Sequence, residues 1–555
     1  MVIYPFWPVG LILNLMAITG TLYLVVKLVR NFPPKECHIH KHMLKTSLKS
    51  NLCSVIVSLM TVVTIALIWP RPAVMCWYSR PWLILPIYVL PAFSSAFYIQ
   101  AKCFEKFQEN NSCFQYSNLC IRTYDISFTA SLLICSVFIL TLSFFKIASS
   151  YILCIWVLVP ICVIGILNFL DLHHKFNIQS YFWFIRHGIV TFLPTLYHFY
   201  VTDPIFELFV PILGRSGGHV QPELFISVLV FLVTIIPVLF HSPLVFLCGG
   251  NIKHLMIGIW GLFFTVLITT ICTPLGNPYD IGTSVHVQRS YTALTLQRVQ
   301  QNSNTSVRSG IWFVPMDYNG ISSLYGFSTK LDSYLEKITL ACSEETDLRD
   351  HPYCGLPYFF PASKFVDGKT WWLDIALSEQ TMKETYWPKV LEMPISPLKL
   401  KSGTWLYQFR VDCGETPQCS LYLTPLKNSK INRWLFSNIG LPLSNFPLES
   451  MVSPPAATDL YPEPTWFVML RFGSASNATR IQQRSMIVTI EMAVSDDSVA
   501  DSSAFKLAIV NHYFKGSSLS ADFKEIPQEL DNFVSALPNW HFTIPLTSFY
   551  SSYSF

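Results

Sequence analysis

The 555 residues are 51% hydrophobic and only 13% charged, with a net charge of +4 and a mean hydropathy of +0.40. Soluble globular chains carry about 25% charged residues, so a soluble cytosolic enzyme is disfavoured, and disorder, which needs low hydrophobicity and high charge, is excluded. No long Lys/Arg run accompanies the small net charge, so nucleic acid is not an expected partner.

The apolar residues crowd into the first half. A helix crossing the roughly 30 Å hydrocarbon core needs about 20 of them. Eight stretches qualify as expected spans: 6–28, 52–69, 82–100, 127–145, 151–170, 181–200, 222–240 and 255–272. The sixth is the weakest, because Arg186 and His187 interrupt it. Ile205–Leu213 is too short to span and is expected as a separate re-entrant or interfacial piece. The first stretch is longer than an apolar signal core and ends in basic residues, so it reads as a span and not as a removable leader.

Basic residues orient the spans. The first loop holds Lys27, Arg30, Lys35, Lys41, Lys45 and Lys49 and should face the cytosol. Alternation then places Lys102, Lys106, Arg122, Lys175 and Lys253 on the same side. With an even number of spans, both termini are expected on the opposite, lumenal side.

After Cys272 a soluble pattern begins. Asn304-Thr305-Ser306 and Asn477-Ala478-Thr479 are glycosylation triplets, usable only in a secretory lumen or outside the cell, whereas Asn110-Asn111-Ser112 falls on the expected cytosolic side and should be silent. Cys342, Cys354, Cys413 and Cys419 form two close pairs. Three connectivities exist; local pairing is the simplest, and an oxidising lumen preserves such bonds. Neither pair has Cys-x-x-Cys spacing, so a structural role is expected. Short runs rich in β-branched and aromatic residues, at 310–316, 405–411, 421–425, 466–472, 484–494 and 505–513, are bounded by turn residues and read as strands. The expected organisation is an α-helical polytopic membrane domain over 1–275, a linker over 276–308 that is polar and helical around 291–301, and a mostly β lumenal domain over 309–555, a β-sandwich. One short helix is expected between Pro527 and Trp540.

Most chemistry-like motifs dissolve on inspection. Gly214-Arg215-Ser216-Gly217-Gly218 matches a serine-hydrolase elbow, but that elbow needs a strand before it and a helix after it in an α/β sheet; here it joins two apolar segments. Cys37-His38-Ile39-His40-Lys41-His42 resembles a metal site, yet lysines repel a cation and no second pair completes a zinc set. No His-Glu-x-x-His is present. The acidic pairs Glu344-Glu345 and Asp496-Asp497 read as solvated loops. Arg186, His187 and His198, with Asp203 and Glu207 just beyond, remain. Charge at membrane depth is costly and faces other helices or water, so Arg186, His187 and Glu207 are the candidate intramembrane polar site, against the alternative of an ion pair that merely fixes the helix.

Several local motifs carry a resemblance. Ser309-Gly310-Ile311-Trp312, Asp317-Tyr318-Asn319-Gly320-Ile321, Cys354-Gly355-Leu356-Pro357-Tyr358-Phe359-Phe360-Pro361, Asn511-His512-Tyr513 and Pro538-Asn539-Trp540 resemble the C-terminal region of the endoplasmic reticulum metallopeptidase 1 family, the Fxna-like branch of the M28 peptidases. The run 209–217 with Pro222-Glu223-Leu224-Phe225 resembles a loop of its membrane part. The resemblance implies a di-zinc peptidase domain preceding the membrane region, then the membrane region, then a lumenal β domain. This sequence starts just before the membrane region, so the family's zinc ligands have no counterpart here and no catalytic or metal residue is carried over. The expected function is anchoring, substrate presentation or partner binding in the endoplasmic reticulum membrane, with the lipid bilayer, a peptidase domain or lumenal clients as partners. Two alternatives stay open: part of a zinc-dependent peptidase whose catalytic domain lies outside this chain, and a transporter or lipid-handling protein built around Arg186 and His187.

Overall fold

The structure, a computed structural model, describes residues 7–30, 34–110, 116–147, 150–169, 180–217, 220–248, 252–279, 287–301, 304–340, 370–375, 386–392, 397–401, 403–414, 416, 418–425, 429–437, 466–471, 485–494, 504–514 and 528–555. They divide into a helical unit, Met1–Leu213 with Gln221–Asp280, and a β unit, Gly214–Val220 with Ile281–Phe555.

Among its described residues the helical unit contains eight long helices: α1 Trp7–Arg30, α2 Pro34–Ile68, α3 Leu90–Asn110, α4 Tyr116–Phe144, α5 Ser150–Phe169, α6 Ser180–Leu213, α7 Pro222–His241 and α8 Ile252–Cys272. Among the described residues seven are long and apolar enough to cross a membrane, all but α6. Arg186, His187, His198, Asp203 and Glu207, with Pro194, Pro204 and Pro211 inside the helix, dilute its apolar content. Packing nevertheless carries α6 through the same depth as α7. His187 Nε2 lies 2.9 Å from His241 Nδ1, His198 Nε2 lies 2.8 Å from the Val233 carbonyl, and the Phe209 and Phe225 rings are 5.8 Å apart. These contacts run antiparallel along both helices, so α6 packs lengthwise against α7 without itself being apolar enough to count as a span. Ile205–Leu213 is not a separate piece: it forms the last turns of α6, because buried Val210 and Leu213 keep the helix packed beyond Pro204. Its lipid-facing side shows Leu193, Leu196 and Phe199, each more than half exposed.

With little hydrophobic force between helices in lipid, close packing and polar bonds bind them. Asn51 on α2 donates to the Ser127 carbonyl (3.1 Å) and Ser131 Oγ (3.0 Å) on α4, and accepts from Gln100 Nε2 on α3 (2.7 Å). Ser131 Oγ in turn donates to the Leu239 carbonyl on α7 at 2.6 Å. This knot places the early turns of α2 and α4, late α3 and late α7 at one level.

Among its described residues the β unit has thirteen strands: β1 Gln288–Gln301, β2 Asn304–Pro315, β3 Thr339–Leu340, β4 Trp371–Asp374, β5 Lys389–Glu392, β6 Leu398–Lys401, β7 Thr404–Asp412, β8 Gln418–Pro425, β9 Ser429–Ser437, β10 Trp466–Arg471, β11 Ser485–Val494, β12 Phe505–Phe514 and β13 His541–Ser554. Eight form one sheet in the order β10-β8-β12-β13-β1-β2-β4-β3. Four more are ordered β5-β7-β11-β9, with β6 pairing β7. All pairs are antiparallel except β1 with β13. Phe409, Val411, Val488 and Ile490 from the smaller sheet meet Leu421, Leu423, Leu507 and Ile509 from the larger in one core, the expected sandwich.

Two motifs explain themselves here. A Cβ on Gly310 would meet Trp372 Cζ2 at 2.2 Å and the Leu373 carbonyl at 2.6 Å, so only glycine lets β4 approach β2. Gly320 has φ +59° and its N–H donates to Asp317 Oδ1 at 3.1 Å, closing the Asp317–Gly320 turn. One expectation fails: 291–301 is neither linker nor helix. It lies in β1, between β13 and β2. Its polar composition misleads because the Thr292 and Thr543 hydroxyls hydrogen-bond each other at 2.6 Å and Ser290 bonds His541, so the sheet buries them satisfied. The short helix expected near the C-terminus is present, as Gln528–Ala536.

Candidate functional site

The sequence-predicted pair Arg186 and His187 does form a cluster. Arg186 Nη1 lies 3.3 Å from Asp125 Oδ1 on α4, and its guanidinium sits 4.4 Å over the Trp183 ring. The ion pair is part-buried, consistent with a charge that needs a partner in an apolar setting. Glu207 does not join it. Twenty-one residues further along α6, about 30 Å by helical rise, it is exposed.

His187 instead heads a chain of hydrogen bonds. Its Nδ1 lies 2.8 Å from the Tyr124 hydroxyl on α4, its Nε2 lies 2.9 Å from His241 Nδ1, and His241 Nε2 lies 3.3 Å from Thr195 Oγ1. His198 is separate: Nε2–H donates to the Val233 carbonyl, and Nδ1 accepts from Trp156 Nε1 at 3.4 Å. Tyr124, His187 and His198 are buried. Thr195, His198 and His241 border a half-open cleft of about 1080 Å³ between the start of α3, α6 and α7.

Sequence reasoning missed a second buried acid. Glu223, in the first turn of α7, accepts from the Met75 N–H (2.6 Å), from Trp77 Nε1 (2.9 Å) and from the Tyr88 hydroxyl. Met75 reaches it with φ +64°, unusual for a residue with a Cβ. Glu223 is thus an anchor for the α2–α3 connection. Nothing in its sequence context, a helix-opening Pro-Glu, separates it from an ordinary solvated first-turn acid.

Zinc, which the resemblance implies, needs about four nitrogen, thiolate or carboxylate donors converging on one point. Both nitrogens of His187, His198 and His241 are already committed to protein partners, and among the described residues no three His, Cys, Asp or Glu side chains are grouped to hold a metal. The described residues do not form a zinc set. His42 lies in α2, as do Cys37, His38 and His40.

The β unit contains an arrangement with hydrolase-like order. Ser290 Oγ lies 2.7 Å from His541 Nε2, and His541 Nδ1 lies 3.0 Å from Gln288 Oε1. Ser290 is 2% exposed in mid-ladder between β2 and β13, leaving no approach for a substrate. Burial pushes His541 down to about 3, so it is neutral. In the elbow-like run, Gly218 lies outside the described residues, and the Gly217 N–H is spent on the Met316 carbonyl at 2.9 Å and so does not serve as an oxyanion donor.

Cys413 and Cys419 flank the turn from β7 of one sheet to β8 of the other, their sulfurs 2.7 Å apart and buried. Burial, then the Cys413 contact, pushes the Cys419 thiol well above its ordinary range. Asn511 Nδ2 braces the same corner, donating to the Cys413 and Tyr386 carbonyls. Cys342, Cys354 and Asn477 lie outside the described residues, whereas Asn304 opens β2 at the tip of the β1–β2 hairpin.

Comparison with known proteins bears on both units. The transmembrane domain of endoplasmic reticulum metallopeptidase 1 matches residues 40–272, and its C-terminal domain matches residues 285–553. Endoplasmic reticulum metallopeptidase 1 of Mus musculus is 23% identical over 570 residues, 99% of this chain and 54% of the relative. The Homo sapiens protein of that name is 25% identical over 380 residues, 66% of this chain and 38% of the relative. A putative endoplasmic reticulum metallopeptidase 1-A of Caenorhabditis elegans is 27% identical over 262 residues, 45% of this chain and 27% of the relative. The chain therefore spans about half the length of these relatives or less. With one family's transmembrane and C-terminal domains matched in order across both structural units, the chain belongs to the endoplasmic reticulum metallopeptidase 1 family.

Proposed function

We propose that this chain is a non-catalytic membrane and lumenal portion of an endoplasmic reticulum metallopeptidase-like protein. Its eight-helix unit anchors it, and its β-sandwich presents substrates or binds partners on the lumenal side. The observation that carries this reading is how the buried polar groups are used. Glu223 holds a loop, Ser290 and His541 hold a parallel strand pair, and Asn511 holds a sheet-to-sheet corner. Each is a polar side chain committed to the fold. The basic first loop and the Asn304 and Asn477 triplets support lumenal placement of the β unit, with glycans at both and local disulfides in that domain.

An aminopeptidase assay on the purified chain with added zinc tests the reading. No zinc-dependent hydrolysis is expected. Chelator-sensitive turnover that copurifies with stoichiometric zinc would overturn it. If activity emerges only when a peptidase domain is supplied separately, the chain is one component of an assembled zinc enzyme.

A further inference from the structure

Among the described residues of the β unit, seven large apolar side chains are exposed. Leu340, Leu391 and Met469 stand singly on β3, β5 and β10, which is ordinary for a protein surface. The other four are gathered around the start of the β1–β13 pair. Phe542 and Ile544 are the register partners of Arg289 and Tyr291 at the head of β1. Tyr325 and Phe327 follow the Gly320–Ser323 turn, whose Gly320 carbonyl accepts from Gln288 Nε2 at 2.7 Å. The Phe327 ring lies 6.4 Å from that of Trp540, and the Trp540 carbonyl accepts from the Gln288 N–H. Tyr325, Phe327 and Phe542 are at least half exposed, and Ile544 is 36% exposed. Apolar groups gathered in this way mark a contact surface.

The path of the chain says what this end meets. Gly214–Val220, the connection between α6 and α7, belongs to the β unit and is bonded to the same end of the sheet. The Gly217 N–H donates to the Met316 carbonyl at 2.9 Å, the Met316 N–H donates to the Arg289 carbonyl at 2.8 Å, and Arg289 is paired with Phe542. One row of neighbours thus leads from the α6–α7 connection to Phe542. Gly217 is only four residues past Leu213, the end of α6, a reach of at most about 14 Å. β1, the strand that follows α8, starts at this end too, and both α7 and α8 are apolar enough to cross a membrane. A surface on such short tethers meets bilayer lipid intramolecularly, at an effective concentration of roughly millimolar or more. A partner arriving from solution has no such advantage.

The residue types suit that occupant. Aromatic rings favour the headgroup–acyl boundary, where the apolar body is shielded and a Tyr hydroxyl still reaches water. The nearest exposed charges in sequence, Arg215 beside Gly217 and Lys330 beside Phe327, are cationic and match phosphate-bearing headgroups. We propose that this end of the β unit is a lipid-contact surface, with Tyr325, Phe327, Phe542 and Ile544 seated at the headgroup–acyl boundary of the leaflet from which the chain emerges. The surface is independent of any role in presenting substrates.

Full-length chain in phosphatidylcholine nanodiscs that include a phosphatidylcholine with a photoactivatable acyl chain tests it, with adducts mapped by mass spectrometry. Adducts are expected on peptides covering 320–328 and 540–546 as well as on the helices. None is expected on 389–392, where Leu391 is equally exposed but stands on the smaller sheet. Combined Tyr325→Ser, Phe327→Ser and Phe542→Ser should lower labelling of both peptides roughly tenfold relative to the helices, since each ring loses its apolar seat. Trp at the same three positions should keep it. Phe327 also touches Trp540, so Phe542→Ser with Ile544→Ser provides a variant that leaves that contact intact and should by itself lower labelling of 540–546. Absence of adducts from both peptides in the wild type would overturn the surface. Undiminished labelling in the serine variants would mean proximity without seating and would overturn it too. Cross-links from these residues to a second copy of the chain in place of lipid would overturn the choice of occupant.

Discussion

Glu223 shows how a single side chain can hold a membrane protein's irregular backbone. The connection before α3 bends through short 3-10 and π turns, and three of its donors converge on one carboxylate. Glu223→Ala would leave all three buried without an acceptor, at about 1–3 kcal/mol each. We expect a loss of about 3 kcal/mol or more, read as a lower unfolding temperature in detergent, with Glu223→Gln losing less. An unchanged unfolding temperature for Glu223→Ala would contradict the anchor. In the β unit, burial pushes His512 and His541 from the usual 6.5 down to about 3. Both are neutral when folded and take up protons only on unfolding, so the stability they contribute is whole above pH 6.5 and drains as pH falls towards 3. Between pH 7.5 and 5 the β unit should lose about 2 kcal/mol per histidine, measured by denaturant titration of the full chain. A flat profile would contradict their burial. Sequence found Arg186 and His187 because polar residues stand out in an apolar run. It passed over Glu223, Tyr124 and His241 because their partners lie on other helices, and pairing across helices leaves no local pattern.

At the scale of elements, legibility follows how far a segment obeys a period. Strands β7, β11 and β12 alternate or are rich in β-branched residues, and their expected ranges lie within a residue of the observed ones, whereas β8 begins three residues before its expected start. β1 was illegible because its buried side chains include Ser and Thr that pair with β13, some 250 residues away. The β7–β8 corner joins the two sheets, and the Cys413 and Cys419 sulfurs lie 2.7 Å apart there, where we propose the local bond. Nonreducing peptide mapping should recover a Cys413–Cys419 linkage, and Cys413→Ala should cost roughly 2 kcal/mol. Recovery of Cys413 bonded to Cys342 or Cys354 would contradict local pairing. The raised Cys419 thiol argues for a structural bond over exchange, because exchange needs thiolate.

At the scale of the molecule, hydrogen bonds tie particular helix ends together. The α2–α3 connection bonds Glu223 at the start of α7, and Arg80 in that connection donates to the Leu275 and Asn277 carbonyls just after α8. The start of α7 and the end of α8 therefore share one face of the helical unit, the face from which the chain leaves for β1. The proposed function requires that face to be lumenal, as the charge of the first loop leads us to propose. Glycosidase gel shifts of single Asn→Gln variants at Asn304, Asn477 and Asn110 in expressing cells measure it directly. The account predicts that Asn304→Gln and Asn477→Gln each remove one glycan and Asn110→Gln removes none. A glycan at Asn110 with none at Asn304 or Asn477 would place the β unit in the cytosol and contradict it.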